Sequence, residues 1–167
     1  MASVTLKGDP FALSGDLPTV GSAAPAFRLV KSDLSEVDNA ACAGTTTILL
    51  TVPSLDTPVC QVETRKFNEH AGSLEGVQVL VASADLPFAI GRFCGAEGIE
   101  KVHGVSQVRD RGFGKRWGVE IAAGPLEGIT ARAAFVIGPD GNLKYSELVG
   151  EIADEHNYDA ILSAAAG

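Results

Sequence analysis

Cysteine is scarce in this chain, with three residues in 167. A small disulfide-stapled domain needs a dense and even set, so an odd three points to a reducing compartment where thiols are free, structural or chemically used. Positive charge is also short. The balance of 13 Lys+Arg against 21 Asp+Glu gives a net charge of −8, and no basic cluster is longer than the pairs Arg65-Lys66 and Lys115-Arg116. Such a surface repels phosphate backbones and anionic lipid, which argues against a nucleic-acid partner. Long apolar runs are missing too: the richest stretch, ILLTV, has five residues, far below the ~20 of a membrane helix. The opening MASVTLKGDPFALSG lacks the charged start and apolar middle of a signal peptide. It reads as mature protein, and the expected setting is cytoplasmic without a membrane. The three histidines, His70, His103 and His156, show no paired metal-ligand spacing and read as ordinary surface or loop residues, so neither a metal nor a cofactor is expected. Gly112-Phe113-Gly114 and Gly124 make only isolated glycine signals, too weak for a phosphate-binding loop.

What is present fits one globular domain over 1–167, with 46% hydrophobic and 20% charged residues. SVTLKGDPFAL predicts a β-hairpin around Gly-Asp-Pro, followed by the Pro-rich connector PTVGSAAPAF. TTTILLTV, over 45–52, has the β-branched, nearly continuous apolar character of a strand covered on both faces, and it stops at Pro53. Cys60, Thr64, Phe67, Ala71 and Leu74 then recur at helical spacing, with Arg65, Lys66, Asn68 and Glu69 between them. VQVLVAS predicts a second buried strand. Asp85 is a natural N-cap for a second helix, with Pro87 in its first turn, the stripe Leu86, Ala89, Ile90, Phe93 and Cys94, and an end at Gly95. HGVSQV reads as a short strand, RGFGKRWGV as a short helix or irregular piece, ARAAFVIGPDGNLKYSELV as a hairpin and DEHNYDAILSAAA as a closing helix. The expected fold class is an α/β sandwich with a mixed central sheet.

The three thiols differ in their surroundings. Cys42 sits among small residues with no activating group nearby and reads as an inert packing thiol. Cys94 lies on the edge of an apolar stripe. Cys60 shares that apolar character, but PSLDTPVC runs from a buried strand through a Pro-bounded loop into a helix start. In a first helical turn, unpaired N–H groups and the positive end of the helix dipole favour thiolate over thiol. Lowering a thiol pKa from ~8.5 to ~6 raises the thiolate at pH 7 only from about 3% to about 90%. Fast chemistry therefore also needs fixed donors for the leaving group. Arg132 is the candidate: it interrupts the apolar run TARAAFVI, and a buried guanidinium requires a partner, either a carboxylate or an anion at the active site.

Pro53, Thr57 and Cys60 form the P-x-x-x-T-x-x-C signature of peroxiredoxins. PSLDTPVC, SADLPFAIGRFCGAEG and VEIAAGPLEGITARAAFVIGPDGN together resemble the bacterial thiol peroxidase subfamily, an atypical two-cysteine group with a thioredoxin-like fold and an N-terminal hairpin. The resemblance implies that Cys60 is the peroxidatic cysteine, which attacks a hydroperoxide and becomes a sulfenic acid. It implies that Thr57 hydrogen-bonds the peroxide and sulfur, that Arg132 polarises both, and that Pro53 shields the thiolate. Cys94 would be the resolving cysteine, closing an intrachain disulfide with Cys60 once the two helices partly unwind. Thioredoxin as reductant and a homodimer are further implications. The chain departs from the subfamily pattern at Val52, where an aromatic residue is usual, and at Leu50, where a polar one is. A thioredoxin-like protein disulfide oxidoreductase is the alternative; it needs cysteines two residues apart, whereas Cys60 and Cys94 are 94 − 60 = 34 apart.

Overall fold

The structure is a computed structural model that describes residues 2–71, 74–99 and 101–167. The chain opens with the antiparallel pair β1 (Ser3–Leu6) and β2 (Asp9–Ala12). The turn lies one step earlier than Gly-Asp-Pro suggests. Lys7 at φ 53° and Gly8 at φ 87° make it, because a right-twisted hairpin favours two left-handed residues at its tip. Asp9 and Pro10 fall inside β2.

Among the described residues the main sheet has seven strands in the order β4-β3-β7-β6-β5-β8-β9. They are β3 (Arg28–Lys31), β4 (Glu36–Asp38), β5 (Thr46–Thr51), β6 (Val77–Ser83), β7 (Val102–Ser106), β8 (Ala133–Ile137) and β9 (Leu143–Leu148). β6 runs parallel to β5 and to β7, while β8 pairs antiparallel with both β5 and β9. This is the mixed sheet expected from the sequence. The edge hairpin β3–β4 and the one-turn helix α1 (Asn39–Cys42) were not expected there. Their segments are short and largely polar, so no periodic signal marks them.

Helices α2 (Pro58–Ala71), α3 (Pro87–Glu97) and α5 (Tyr158–Ala166) cover one face of the sheet, and α4 (Phe113–Arg116) lies towards the other. Strand alternation divides the core between the faces. Ile48, Leu50, Val79, Val81, Ala134 and Val136 pack with Cys60 and Phe67, while Leu49, Leu80, Ala82 and Phe135 pack with Phe113 and Trp117. Leu50 and Val52, the two departures noted above, are both buried in the Cys60 cluster. The N-terminal hairpin is tied to the far end of the chain by Thr5 N–H to the Gly150 carbonyl at 2.7 Å and Ile152 N–H to the Thr5 carbonyl at 2.7 Å.

Two helix boundaries differ from expectation. Leu86, not Asp85, is the N-cap of α3 and makes no side-chain cap bond. The helix ends at Gly98, left-handed at φ 66°, rather than at Gly95, because the terminal turn needs a residue tolerant of positive φ. Within the expected α3 stripe Ile90 and Phe93 are buried, whereas Leu86 and Ala89 face solvent. In α2 Cys60, Thr64 and Phe67 are buried as expected; the side chain of Ala71 lies outside the described residues.

Gly104 of β7 sits directly beneath the two cysteine-bearing segments. A Cβ added there would stand 2.5 Å from Ile90 Cγ2, 3.1 Å from Leu55 Cδ1 and 3.7 Å from Cys94 Sγ. Gly104→Ala is therefore expected to destabilise the protein by about 1–3 kcal/mol through overpacking. Urea unfolding checks this, and an unchanged midpoint would contradict it.

Candidate active site

The site forms where β5 and β6 end side by side. Thr51 pairs with Ala82, and the next backbone group is caught from two sides. Val52 N–H donates to the Ala82 carbonyl at 3.0 Å, and the Thr130 hydroxyl donates to the Val52 carbonyl at 2.7 Å. From this fixed exit the chain turns at buried Pro53 and crosses Ser54 to Thr57 before α2 begins. The Thr57 hydroxyl donates to the Ser54 carbonyl at 3.0 Å, and Gln61 N–H donates to the Thr57 carbonyl at 2.9 Å. Thr57 is thus the last residue before the helix. Pro58 has no N–H, and the amides of Val59 and Cys60 are too early in the helix to find a helical acceptor. Cys60 is the third helical residue, with 0% of its surface exposed.

Arg132 lies just ahead of β8, outside the strand, and is 1% exposed. Its Nη1 donates to Glu63 Oε2 at 2.5 Å and its Nε to the Ile152 carbonyl at 3.0 Å. The partner left open by the sequence is therefore a carboxylate, but one with a particular address. Glu63 follows Cys60 by three positions in α2 and so shares its helix face. The ion pair ties the guanidinium to the residue one turn along α2 from Cys60. A guanidinium has five N–H donors, and these two bonds use two of them.

His156 corrects the reading of the histidines as surface residues. It is 3% exposed, its backbone N–H donates to Glu63 Oε1 at 2.6 Å, and its Nε2 lies 2.8 Å from the Ala133 carbonyl. Because a carbonyl only accepts, Nε2 carries a proton. Nδ1 stands 2.9 Å from Glu63 Oε1 but out of line for a hydrogen bond. His70 and His103 are exposed. Glu63 and His156 are the residues that sequence reasoning missed. Glu63 had a signal, a carboxylate on the buried stripe of α2; His156 had none, since it is buried only when the segment before α5 folds back on α2.

All three thiols are unbridged. Cys94 is half-buried on α3 and packs against the apolar cluster that contains Cys60. Burial pushes its pKa up, partly offset by a hydrogen bond from the Gly104 backbone. Cys42 ends α1 in the opposite cluster, where its sulfur accepts from Gln78 Nε2 at 3.4 Å. A thiol in the first turn of a helix, a buried guanidinium bound to the residue one turn further along it and a second thiol packed on the same core are the parts a thiol-based redox site requires.

The comparisons agree with that class. Residues 19–162 match the Redoxin family. The chain is 50% identical to a thiol peroxidase of Leptospira interrogans, over 99% of this chain and 98% of that one. It is 51% identical to a thiol peroxidase of Mycobacterium tuberculosis, over 98% of each. A crystal structure of a peroxiredoxin-like protein from Aquifex aeolicus superposes with a TM-score of 0.92 at 44% identity, covering 98% of this chain and 96% of that one. The chain belongs to the redoxin family, with the thioredoxin-like sandwich expected from the sequence. Within that family it is a peroxiredoxin-type peroxidase.

Removing one member of a buried ion pair leaves the other uncompensated, at about 3–5 kcal/mol. Arg132→Met is therefore expected to lower Tm by roughly 10 °C, and Glu63→Gln to lower it similarly, while the double variant recovers part of the loss. Calorimetry of the three proteins checks this; strictly additive losses would show that the pair is uncoupled. The raised Cys94 pKa also has a sign. The folded helix holds the thiol proton more tightly than an opened one, so this contribution is present below the ordinary thiol range and is lost as pH rises through it. Alkylation of Cys94, normalised to a small thiol, is expected to climb with pH there, and a flat ratio would refute it.

Proposed function

We propose that the enzyme reduces hydrogen peroxide and organic hydroperoxides through Cys60, with Cys94 as the resolving thiol and Thr57, Arg132 and Pro53 completing the site. The observation that carries this reading is Cys60 in the first turn of α2, with Arg132 bound to Glu63 one turn further along the same helix. The Cys60 thiolate attacks the terminal peroxide oxygen, and the O–O bond breaks. The departing oxyanion takes a proton and leaves as water or alcohol, and Cys60 is left as a sulfenic acid. Helix-start amides and the remaining N–H donors of Arg132 stabilise the developing charge, joined by the Thr57 hydroxyl once it turns from the Ser54 carbonyl to the peroxide. Buried Pro53 and the apolar wall of Val52 and Leu55 keep bulk water from the sulfur.

A sulfenic acid meeting more peroxide climbs to sulfinic acid, whereas a nearby thiol traps it. Cys94 attacks the Cys60 sulfur, an S–S bond forms and hydroxide leaves as water. The partly raised pKa of Cys94 supports resolution after α3 loosens and the thiol meets water. A disulfide requires Cα atoms ~5.5 Å apart, and partial unwinding of the first turn of α2 and the end of α3 supplies that approach. Thioredoxin is the proposed reductant, restoring both thiols. We further assign the whole chain to one functional domain, a homodimeric assembly and a cytoplasmic setting, the last supported by three free thiols.

Titration with peroxide tests the scheme. Two of the three thiols per chain should disappear, with Cys42 surviving and Cys60 and Cys94 joined in the peptide map. Cys60→Ser should abolish peroxide consumption. Cys94→Ser should complete one turnover, then over-oxidise and fail to recycle with thioredoxin. Full consumption by Cys60→Ser would overturn the reading, and rapid reduction of protein disulfides without peroxide would favour a disulfide oxidoreductase instead.

A further inference from the structure

Asp85 stands at the start of the helix that carries Cys94, yet its carboxylate caps nothing in that helix. It reaches instead to the loop that delivers Cys60. Asp85 Oδ1 accepts from the Ser54 hydroxyl at 2.8 Å, and Oδ2 accepts from Leu55 N–H at 2.8 Å. Oδ2 also accepts from the hydroxyl of Ser83 at 2.8 Å, at the end of β6, and that oxygen accepts in turn from Asp85 N–H at 3.2 Å. The Ser54 oxygen accepts from Asp56 N–H at 3.1 Å. One carboxylate thus joins a core strand, the Cys60 loop and the root of the Cys94 helix.

The apolar hold on that root is narrow: Leu86 is 55% and Phe88 72% exposed, and in the first turn of α3 the buried side chains are Pro87 and Ile90. Across from it a cleft of about 410 Å³ separates the loop from the body of α3, lined by Ser54, Leu55, Gln61, Asp85, Arg92 and Phe93 among others. Beneath the cleft Leu55, Ile90 and the Cys94 sulfur converge on the bare backbone of Gly104. The Leu55 amide held by Asp85 therefore fixes the side chain that packs beside Cys94.

We propose that Asp85 is a positioning residue, a clasp that favours the dithiol arrangement and sets how readily Cys94 leaves α3 to bridge Cys60. This rests on the Cys60–Cys94 disulfide proposed above. Bridging requires the loop and α3 to move, and the bonds across their seam are hydrogen bonds to a charged group, among the stronger kinds. They stabilise the dithiol state selectively. Without them the equilibrium shifts towards the disulfide, and a sulfenic acid is captured sooner.

The test is equilibration of wild type, Asp85→Ala, Asp85→Asn and Ser54→Ala with mixtures of reduced and oxidised dithiothreitol. Two electrons and two protons pass from Cys60 and Cys94 to the reagent as its own disulfide opens and the protein disulfide forms. Asp85→Ala should favour the protein disulfide about tenfold, a potential about 30 mV more negative. Ser54→Ala, which keeps the Leu55 bond and leaves α3 intact, should shift it less in the same direction, with Asp85→Asn between them. The peroxide dose that produces sulfinic acid at Cys60 should rise in the same order. If the variants melt earlier by equal amounts in both redox forms while the potential stays at the wild-type value, Asp85 is only a structural residue and the clasp is refuted. Should Asp85→Ala not fold, the Ser54→Ala potential decides alone, and no shift there refutes the clasp. Absence of a Cys60–Cys94 bridge in oxidised wild type would overturn the disulfide reading and the clasp with it, an outcome visible before any variant is compared.

Discussion

Burial of a positive charge organises this molecule. A guanidinium that is 1% exposed cannot stand alone in an apolar core, because the desolvation is compensated only by close, well-oriented partners. Arg132 finds Glu63 on α2 and the Ile152 carbonyl on the segment before α5. Glu63 in turn accepts from the backbone of His156, whose ring reaches back to the Ala133 carbonyl on β8. Three chain segments remote in sequence are drawn to one point. The rotation of α2 about its axis follows, since the face that presents Glu63 to Arg132 is also the face of Cys60. The position of the Cys60 sulfur is in this sense a consequence of compensating a charge.

The second constraint is the paired end of β5 and β6. Parallel strands finish at a common edge, and the loops that leave it are a frequent place for chemistry in α/β proteins. Here the loop after β5 leads to α2 and Cys60, and the loop after β6 leads to α3 and Cys94. The two elements emerge as neighbours, and Asp85 joins them across the seam. The fold thus brings two thiols to one core while leaving their connection dependent on a few polar contacts. Stability graded in this way suits the rearrangement that the proposed Cys60–Cys94 bridge requires.

Much of this was readable from local pattern. β5, β6 and β8 are buried on both faces and announce themselves as apolar, β-branched runs, and α2 shows its stripe at helical spacing. The loop from Pro53 to Cys60 was legible because proline, threonine and cysteine each mark a particular backbone event. The edge hairpin β3–β4 was not, since RLVK and EVD are too short and polar to carry a period. Asp85 misled for an instructive reason: an aspartate before a helix usually caps it, but hydrogen bonds to Ser54 and Leu55 compete for the same carboxylate. Only the register of β6 beside β5 decides that competition. Glu63 was half legible, as a carboxylate on a buried face without a stated partner, and His156 looked like any loop histidine.

The sequence by itself determined the α/β class, the main strands and helices, the distinct surroundings of its three cysteines and the need for a partner at Arg132. These depend on residue type and on spacings of a few positions, which local sterics and the period of the backbone translate directly. The tertiary structure decided that the partner is Glu63, that His156 is buried against it, that Asp85 holds the Cys60 loop rather than its own helix, and that Cys60 and Cys94 share a core without a bond. Each of these is a contact between segments far apart along the chain, set by strand order and by the compensation of buried charge, and no local pattern encodes them.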